Sequence, residues 1–164
     1  MRKNIFTLIL ELLLIISLIA LDLITKKYIY GPIASGQPDI ILISGVLRFT
    51  AIKNTGASFG IFADYTNILT IVSIITVIGA LFVLILTQKK INNPLFKIAM
   101  SLIIAGGIGN IIDRLKFGYV RDFIYFELID FAVFNIADSC LTIGCIILIM
   151  YILWDFFATT KKNK

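Results

Sequence analysis

Four long apolar stretches constrain this chain more than any other feature of its sequence. A helix needs about 20 consecutive apolar residues to cross the hydrocarbon layer of a bilayer. Only 15% of the residues are charged, against roughly a quarter in a soluble domain. The sequence therefore predicts an all-α membrane protein in one domain, residues 1–164, with transmembrane helices at about residues 5–22, 68–88, 95–113 and 136–157.

The first apolar stretch follows Arg2 and Lys3, as the apolar core of a secretory signal peptide would. It lacks a small-residue cleavage site, and the polar residues Asp22 and Lys26 come directly after it. We therefore expect a retained helix. Because Asp22 and Lys26 are four residues apart, they can form an ion pair on one helix face, and a structural clamp at the helix end is the expected role.

Lysine and arginine are dense in three short polar regions, and this density predicts the orientation of the chain. Such residues are concentrated on the cytoplasmic side of membrane proteins. The opposite side also carries cations, but they are spread over longer segments and mixed with acids. Both termini are therefore predicted to be cytoplasmic, together with the dense residues Arg2, Lys3, Lys89, Lys90, Lys97, Lys161, Lys162 and Lys164.

Two longer connections are then predicted to lie on the extracytoplasmic side. Residues 27–66 include Ile40–Ile43 and Leu47–Lys53, which are rich in strand formers and predict a small β-sheet on the outer membrane face. Residues 114–135 form the second outer loop. Its many aromatic side chains suit the membrane–water interface.

The residue inventory excludes several kinds of site. The chain has no histidine, which removes Ser-His-Asp and Cys-His triads and the usual zinc ligand sets. Cys140 and Cys145 are five residues apart in an apolar run, so we interpret them as packing residues rather than a disulfide or metal pair. We expect no metal and no cofactor. Because membrane topology explains the basic charge, we expect no nucleic-acid partner.

Ionisable residues near a membrane span are candidates for function, because charge is costly there. Gly106, Asn110 and Asp113 follow one another at i, i+4 and i+7, so they share a helix face, and Arg114 lies close to it. The glycine permits close approach of another backbone or a ligand. Helix packing with a capped end would explain this pattern. The shared face of Asn, Asp and Arg favours a groove that contacts substrate.

Two aspartates, Asp122 and Asp138, are predicted at the same membrane face. Each alone has a simpler explanation as a helix cap or an interfacial charge, although Asn135 is equally suited to cap the fourth helix. Two carboxylates held together at low dielectric share one proton, so one activates water while the other donates a hydrogen bond to a carbonyl. Their spacing in sequence does not establish that they meet.

Five motifs, in order, resemble those of the lipoprotein signal peptidases, also called signal peptidase II. They are residues 22–26, 54–59, 106–114, 118–123 and 134–139, and the likeness covers nearly the whole chain. The resemblance implies an aspartic endopeptidase of the bacterial plasma membrane. Such an enzyme removes the signal peptide of diacylglyceryl-modified prolipoproteins just before the lipidated cysteine. It implies that Asp122 and Asp138 are the catalytic pair.

The resemblance also assigns supporting roles. Asp22 and Lys26 match a motif whose role is structural. The resemblance also implies an active site near the outer leaflet, contact with membrane lipid, inhibition by globomycin-type peptides and a monomeric enzyme. The residues that it implies in substrate binding or in support of the pair are Asn54, Gly56, Asn110, Asp113, Arg114, Asn135 and Ala137.

Two positions depart from the family pattern. Arg121 stands where a small apolar residue is usual, and Ser58 replaces an alanine. If the segment around Arg121 is extended, neighbouring side chains point to opposite faces and Arg121 need not touch the aspartate pair. If it does touch the pair, it would favour ionised Asp122.

Two other classes of function remain to be weighed. A membrane phosphotransferase could hold Mg²⁺ with the carboxylates of Asp22, Asp113, Asp122 and Asp138, and a chelator would then abolish its activity. A transporter or assembly subunit would need polar residues deep in the bilayer. Glu11 is the one ionisable residue well inside a predicted span, and we expect it to form an interhelical hydrogen bond.

Overall fold

The computed structural model describes residues 2–56 and 65–162, with the side chains of residues 5–56 and 65–160. Residues Ala57, Ser58 and Phe59 of the second sequence motif lie outside this description. The helices are α1 (Arg2–Thr25), α2 (Gly31–Ala34), α3 (Thr66–Thr87), α4 (Pro94–Phe117) and α5 (Ile136–Lys162). A π-helical segment, Lys26–Tyr30, joins α1 to α2, and a 3-10 turn, Glu127–Ile129, follows the last strand.

Within the described residues, four helical segments are long and apolar enough to cross a membrane: Ile5–Ala34, Thr66–Thr87, Pro94–Phe117 and Ile136–Thr160. Together with a small antiparallel sheet, they confirm the predicted fold class. The first segment continues well past residue 22, where the sequence analysis ended it. The helix continues there because Asp22 and Lys26 are buried and paired with each other, so neither needs to lie at a helix end.

Helix α4 lies at the centre of the helical bundle. In its most apolar window 67% of the residues are buried within the protein, against 17% for each of the other three spans. Buried residues of α1 and α3 pack against α4 and form a core with its own buried residues. This core consists of Ile15, Val77, Leu84, Phe96, Met100, Ile104 and Ala105. The outward faces of α1, α3 and α5 stay apolar and exposed, as lipid-facing surfaces are.

Glycines let α5 approach α4 at backbone distance. A Cβ atom on Gly106 would lie 2.4 Å from the carbonyl oxygen of Ala137 in α5. Further along the same contact, a Cβ atom on Gly144 would lie 3.0 Å from the carbonyl oxygen of Ala99. This small-residue packing of helices fixes α5 against α4 over much of its length.

The sheet joins the two long connections. Strands β1 (Ile40–Ile43), β2 (Leu47–Asn54) and β3 (Val120–Phe126) form an antiparallel sheet in the order β1-β2-β3. The sequence analysis placed the sheet in residues 27–66, and the third strand instead comes from the second connection. Gly118, with a φ of 77°, ends α4 and turns the chain into β3, a conformation that suits glycine.

Glu11 joins three helical regions. Its carboxylate lies 3.3 Å from the ammonium of Lys97 at the start of α4 and accepts a hydrogen bond from the Gln88 amide at the end of α3. Lys97 in turn donates to Gln88 at 2.9 Å. The expected interhelical hydrogen bond of Glu11 is confirmed.

The two cysteines are free, with Cys140 buried and Cys145 exposed.

The close approach of α4 and α5 predicts a difference between two glycine substitutions. Gly106→Ala forces a Cβ into the Ala137 carbonyl, so it should destabilise the protein by about 2 kcal/mol or more. Gly79→Ala in α3 meets no atom within 4 Å and should be neutral or stabilise by up to about 1 kcal/mol. Thermal unfolding of both variants in the same detergent measures this difference, and equal effects would contradict the proposed packing.

Candidate active site

The two predicted catalytic aspartates line the same cavity. Asp122 lies on β3 and is 1% exposed, and Asp138 lies in the first turn of α5. The cavity has a volume of about 260 Å³ and opens among α3, α4 and the segment that precedes α5. Polar groups form only part of its wall. Leu69, Val133 and Leu141 supply an apolar side.

Asp138 is placed by the way α5 begins. Asn135 precedes the helix, and its side-chain oxygen accepts from the backbone N–H of Asp138 at 2.9 Å. The Asp138 carboxylate reaches back and accepts from the backbone N–H of Asn135 at 3.2 Å. This reciprocal pattern is a capping box, in which each side chain satisfies a free N–H of the first turn. Both carboxylate and amide are therefore fixed relative to the helix start.

Three asparagine amides donate to the two carboxylates. Asn54 and Asn135 donate to the two oxygens of Asp122 at 2.9 and 2.7 Å. Asn110 donates to Asp138 at 2.7 Å. These bonds cross from β2, α4 and the start of α5 to the two aspartates, so they tie four elements of the fold to one site.

Each of these amides is held in one orientation by a donor to its oxygen. The backbone N–H of Gly56 donates to Asn54 at 2.9 Å, and that of Asp138 donates to Asn135. The Lys26 ammonium donates to Asn110 at 3.3 Å. Because an amide oxygen cannot donate, each nitrogen must face a carboxylate. The orientation of the donors is thus set before substrate arrives.

The environment of Asp122 moves its pKa far from the usual value. Burial raises the pKa most, and the nearby carboxylate of Asp138 raises it further. Hydrogen bonds from Asn54 and Asn135 and the positive charge of Lys26 oppose the rise, and the pKa lies at about 7. At neutral pH the pair therefore holds a proton that an exposed aspartate would have lost.

Lys26 lies at the base of the site and is completely buried. Its ammonium contacts Asp22 at 2.8 Å, Asp113 at 3.2 Å and Asn110 at 3.3 Å. Two of these contacts are ion pairs with carboxylates, and the third is a hydrogen bond to an amide oxygen. The other oxygen of Asp22 accepts from the backbone N–H of Ala137 at 3.0 Å, which joins α1 to the start of α5.

Arg114 places a second cation at the cavity wall. Its guanidinium donates to the carbonyl of Gly56 at 3.3 Å and to the hydroxyl of Ser73 at 3.5 Å. Its Nε atom is buried and has no hydrogen-bond partner in the described part of the chain. The side chain is held by Gly56, which follows β2, and by Ser73 of α3, and it lines the same cavity as the two aspartates.

Comparison with known proteins identifies the family. The family described as signal peptidase (SPase) II matches residues 14–154. The chain belongs to the signal peptidase II family. Proteins named lipoprotein signal peptidase from Clostridium tetani and Streptococcus pyogenes serotype M1 are 39% and 40% identical to it. The alignments cover 87% and 94% of this chain and 92% and 95% of those proteins.

Two solved structures described as bacterial membrane enzymes share the fold. One has a TM-score of 0.78 at 34% identity and covers 89% of this chain and 88% of its own. The other has a TM-score of 0.72 at 33% identity and covers 87% of this chain and 92% of its own. The family resemblance predicted from the motifs is confirmed. The chain is accordingly a membrane protease of the signal peptidase class.

The residues predicted to line a groove divide into two groups. Asn54, Asn110 and Arg114 line the cavity beside the two aspartates. The others are placed behind the cavity wall, where they hold neighbouring groups by the contacts described above: Gly56, Asp113, Asn135 and Ala137. Asp113 in particular is fully buried, so it supports the site from behind.

Sequence analysis missed several residues of the site. Ser73 and Leu69 lie in an apolar helix, and their position in α3 carried no signal of a role. The segment from Phe131 to Phe134 was interpreted only as interfacial aromatics, and it forms part of the cavity wall. The contacts of Lys26 and Arg121 with Asp113 were also missed, because they join distant parts of the chain.

No group of three or more cysteine, aspartate or glutamate side chains within residues 2–56 and 65–162 is arranged as a metal site would be. The acidic residues in and behind the cavity instead contact cations or amides. Asp22 and Asp113, which a Mg²⁺ site would use, each contact the Lys26 ammonium.

The raised pKa of Asp122 predicts how stability changes with pH. Between its ordinary pKa of 3.8 and about 7, the folded protein keeps a proton that the unfolded chain releases. Raising the pH through this window therefore favours unfolding of the wild type. Asp122→Asn removes this titration, so the free energy of unfolding of the variant minus that of the wild type should increase from pH 5 to pH 8. The expected increase is roughly 1–3 kcal/mol.

Thermal unfolding in detergent at several pH values measures this difference. A constant offset between the Asp122→Asn variant and the wild type would reflect altered hydrogen bonding alone. That result would contradict the raised pKa.

Proposed function

We propose that this chain is an aspartic endopeptidase that cleaves the signal peptide from diacylglyceryl-modified prolipoproteins just before the lipidated cysteine. The observation that carries the proposal is that Asp122 and Asp138 line one cavity and are oriented there by three asparagine amides. A carboxylate pair that shares a proton near neutral pH is the requirement of this chemistry.

The mechanism divides acid and base roles between the two carboxyl groups. The ionised carboxylate takes a proton from water as the water oxygen attacks the scissile carbonyl carbon. The protonated carboxyl donates its hydrogen bond to the carbonyl oxygen, where negative charge develops. The tetrahedral intermediate then collapses as a proton passes to the leaving amine, and the pair returns to its starting state. The pKa of about 7 at Asp122 supports such sharing.

The asparagines contribute by orientation. Asn54, Asn110 and Asn135 direct N–H groups at carboxylate oxygens, which keeps both carboxyl groups in place while the proton moves. Since their own oxygens are held, the amides need not turn during the reaction. Such preorganisation lowers the cost of reaching the transition state.

The location of the cavity supports a lipid-anchored substrate. It lies where α4 ends and α5 begins, close to one end of two membrane spans. A cysteine that carries diacylglycerol is held at the level of the lipid headgroups, so a bond beside it must be cut at shallow depth. The apolar wall of Leu69, Val133 and Leu141 suits the apolar residues of a signal peptide.

The proposal includes the placement of the enzyme. We infer a monomer in the bacterial plasma membrane with both termini in the cytoplasm and the cavity near the outer leaflet. The dense cations of the short connection at Lys89 and Lys90 support this orientation. Globomycin-type peptides are the expected inhibitors, through binding in the same cavity.

The test is the conversion of a diacylglyceryl-modified prolipoprotein to its mature size by the purified chain. Asp122→Asn and Asp138→Asn should each lower kcat by about 10³-fold, because each removes an acid–base group. Asp130→Asn is the matched control, since Asp130 is exposed and its carboxylate accepts from the Tyr125 hydroxyl outside the cavity. It should keep wild-type activity.

Two compounds added to the processing assay distinguish the proposed mechanism from that of a metal-dependent enzyme. A chelator should leave processing unchanged, and globomycin should block it. Retained cleavage by either aspartate variant, in a preparation that is folded and inserted, would disprove the carboxylate mechanism. Loss of processing with the chelator would favour a metal-dependent mechanism.

A further inference from the structure

Arg121 is one of the two positions that depart from the expected family pattern, and it faces away from the catalytic pair. It precedes Asp122 on β3, and neighbouring side chains in a strand point to opposite faces. Its guanidinium binds one oxygen of Asp113 through Nε at 3.1 Å and Nη2 at 2.7 Å. The Arg121 backbone N–H donates to the other oxygen of Asp113 at 3.0 Å. The guanidinium also lies 4.5 Å from the ring centre of Phe117.

This contact completes a cluster of four buried charges, Asp22, Lys26, Asp113 and Arg121. Lys26 and Asp113 are fully buried, Asp22 is 1% exposed, and the Arg121 side chain is 14% exposed. Two anions and two cations make the cluster neutral. Without the arginine, one negative charge would remain uncompensated in a region of low dielectric, which is costly.

The cluster continues into the catalytic site through Lys26. Asp113 holds the Lys26 ammonium at 3.2 Å, and that ammonium donates to Asn110 at 3.3 Å. Asn110 donates to the carboxylate of Asp138 at 2.7 Å. The contact with Asn110 is the longest of the three that Lys26 makes, so a stronger attraction of Lys26 towards Asp113 would weaken it first.

We propose that Arg121 is a positioning residue for the aspartate pair. By neutralising Asp113 it lets Lys26 remain against Asn110, and Asn110 in turn holds Asp138. The arginine touches neither carboxylate of the pair and acts only through this chain of contacts. The inference rests on the proposed function, because its main readout is processing of the prolipoprotein.

The Arg121→Gln substitution retains the other charged and titratable groups around the pair. Removing the arginine leaves the cluster with one net negative charge. A negative potential favours the protonated forms of the pair, so both limbs of the pH–rate profile should move to higher pH. The groups that remain are Asp22, Lys26 and Tyr30 from the first span, Lys53 from β2, Asp113 and Arg114 from α4, and Tyr119 before β3.

The first experiment compares the full-length wild type with Arg121→Gln in the same detergent and lipid. We expect kcat to fall by about 3- to 10-fold with little change in KM, and both limbs of the profile to rise by about half to one pH unit. Arg121→Lys keeps the charge but loses the two-pronged contact, so its profile should shift less. Arg48→Gln is the matched control, because Arg48 is an arginine on β2 that pairs with Asp39 at 3.6 Å away from the cluster.

A double variant distinguishes charge compensation from simple structural support. Asp113→Asn combined with Arg121→Gln removes one anion and one cation, and Asp22 and Lys26 still neutralise each other. The profile of the double variant should return to within about 0.3 pH units of the wild type, although the protein has lost more contacts than in the single variant. A purely structural role predicts that the double variant is at least as impaired as Arg121→Gln.

The outcomes are separable from those of the proposed function. If the wild type does not process the prolipoprotein, the proposed function fails; if it does, Arg121 is tested on its own. A profile of Arg121→Gln that superimposes on the wild type overturns the inference, as does a double variant without recovery. If Arg121→Gln fails to accumulate in the membrane, recovery of both accumulation and profile in the double variant supports the inference, and its absence overturns it.

Discussion

The site depends on the contacts that the buried ammonium of Lys26 makes. Lys26 lies in a helical segment that is long and apolar enough to cross the membrane, and its side chain is removed from water. Its ammonium contacts Asp22, Asp113 and Asn110. An isolated charge in such a place would be too costly to keep. Paired as it is, the ammonium connects the first span to α4, and through Asp22 it also reaches the backbone of α5.

Around this ion the fold brings together groups that are far apart in sequence. Gly106 permits backbone contact between α4 and α5, and Gly109 leaves room for the carboxylate of Asp22 in α1, which would lie 2.7 Å from a Cβ at this position. The short turn at Gly118 returns the chain as β3 and places Asp122 beside the start of α5. Pairing of Asn54 with Val120 in the sheet brings the third amide to the same place. Close packing thus sets the geometry in which the polar groups meet.

Much of the fold could be predicted from sequence, because the hydrophobic length of a span is a strong and local signal. The aspartates and asparagines were found from their motifs, and the ion pair of Asp22 with Lys26 from its i, i+4 spacing. The contacts of Asp113 with Lys26 and Arg121 could not be predicted, since they depend on how separate helices pack. The third strand was missed for a similar reason. Its pairing with β2 joins two connections that periodicity treats separately.

One feature of α5 ties protein folding to the reaction itself. Asp138 belongs to the proposed catalytic pair and also caps its own helix through the N–H of Asn135. A carboxyl that gains a proton is a poorer acceptor, so in the proposed mechanism protonation of Asp138 would weaken this cap. An alanine at position 138 would remove a cap as well as a carboxyl group, and its effect would mix two losses. Asparagine keeps an acceptor oxygen there, so it isolates the loss of proton transfer from damage to the helix.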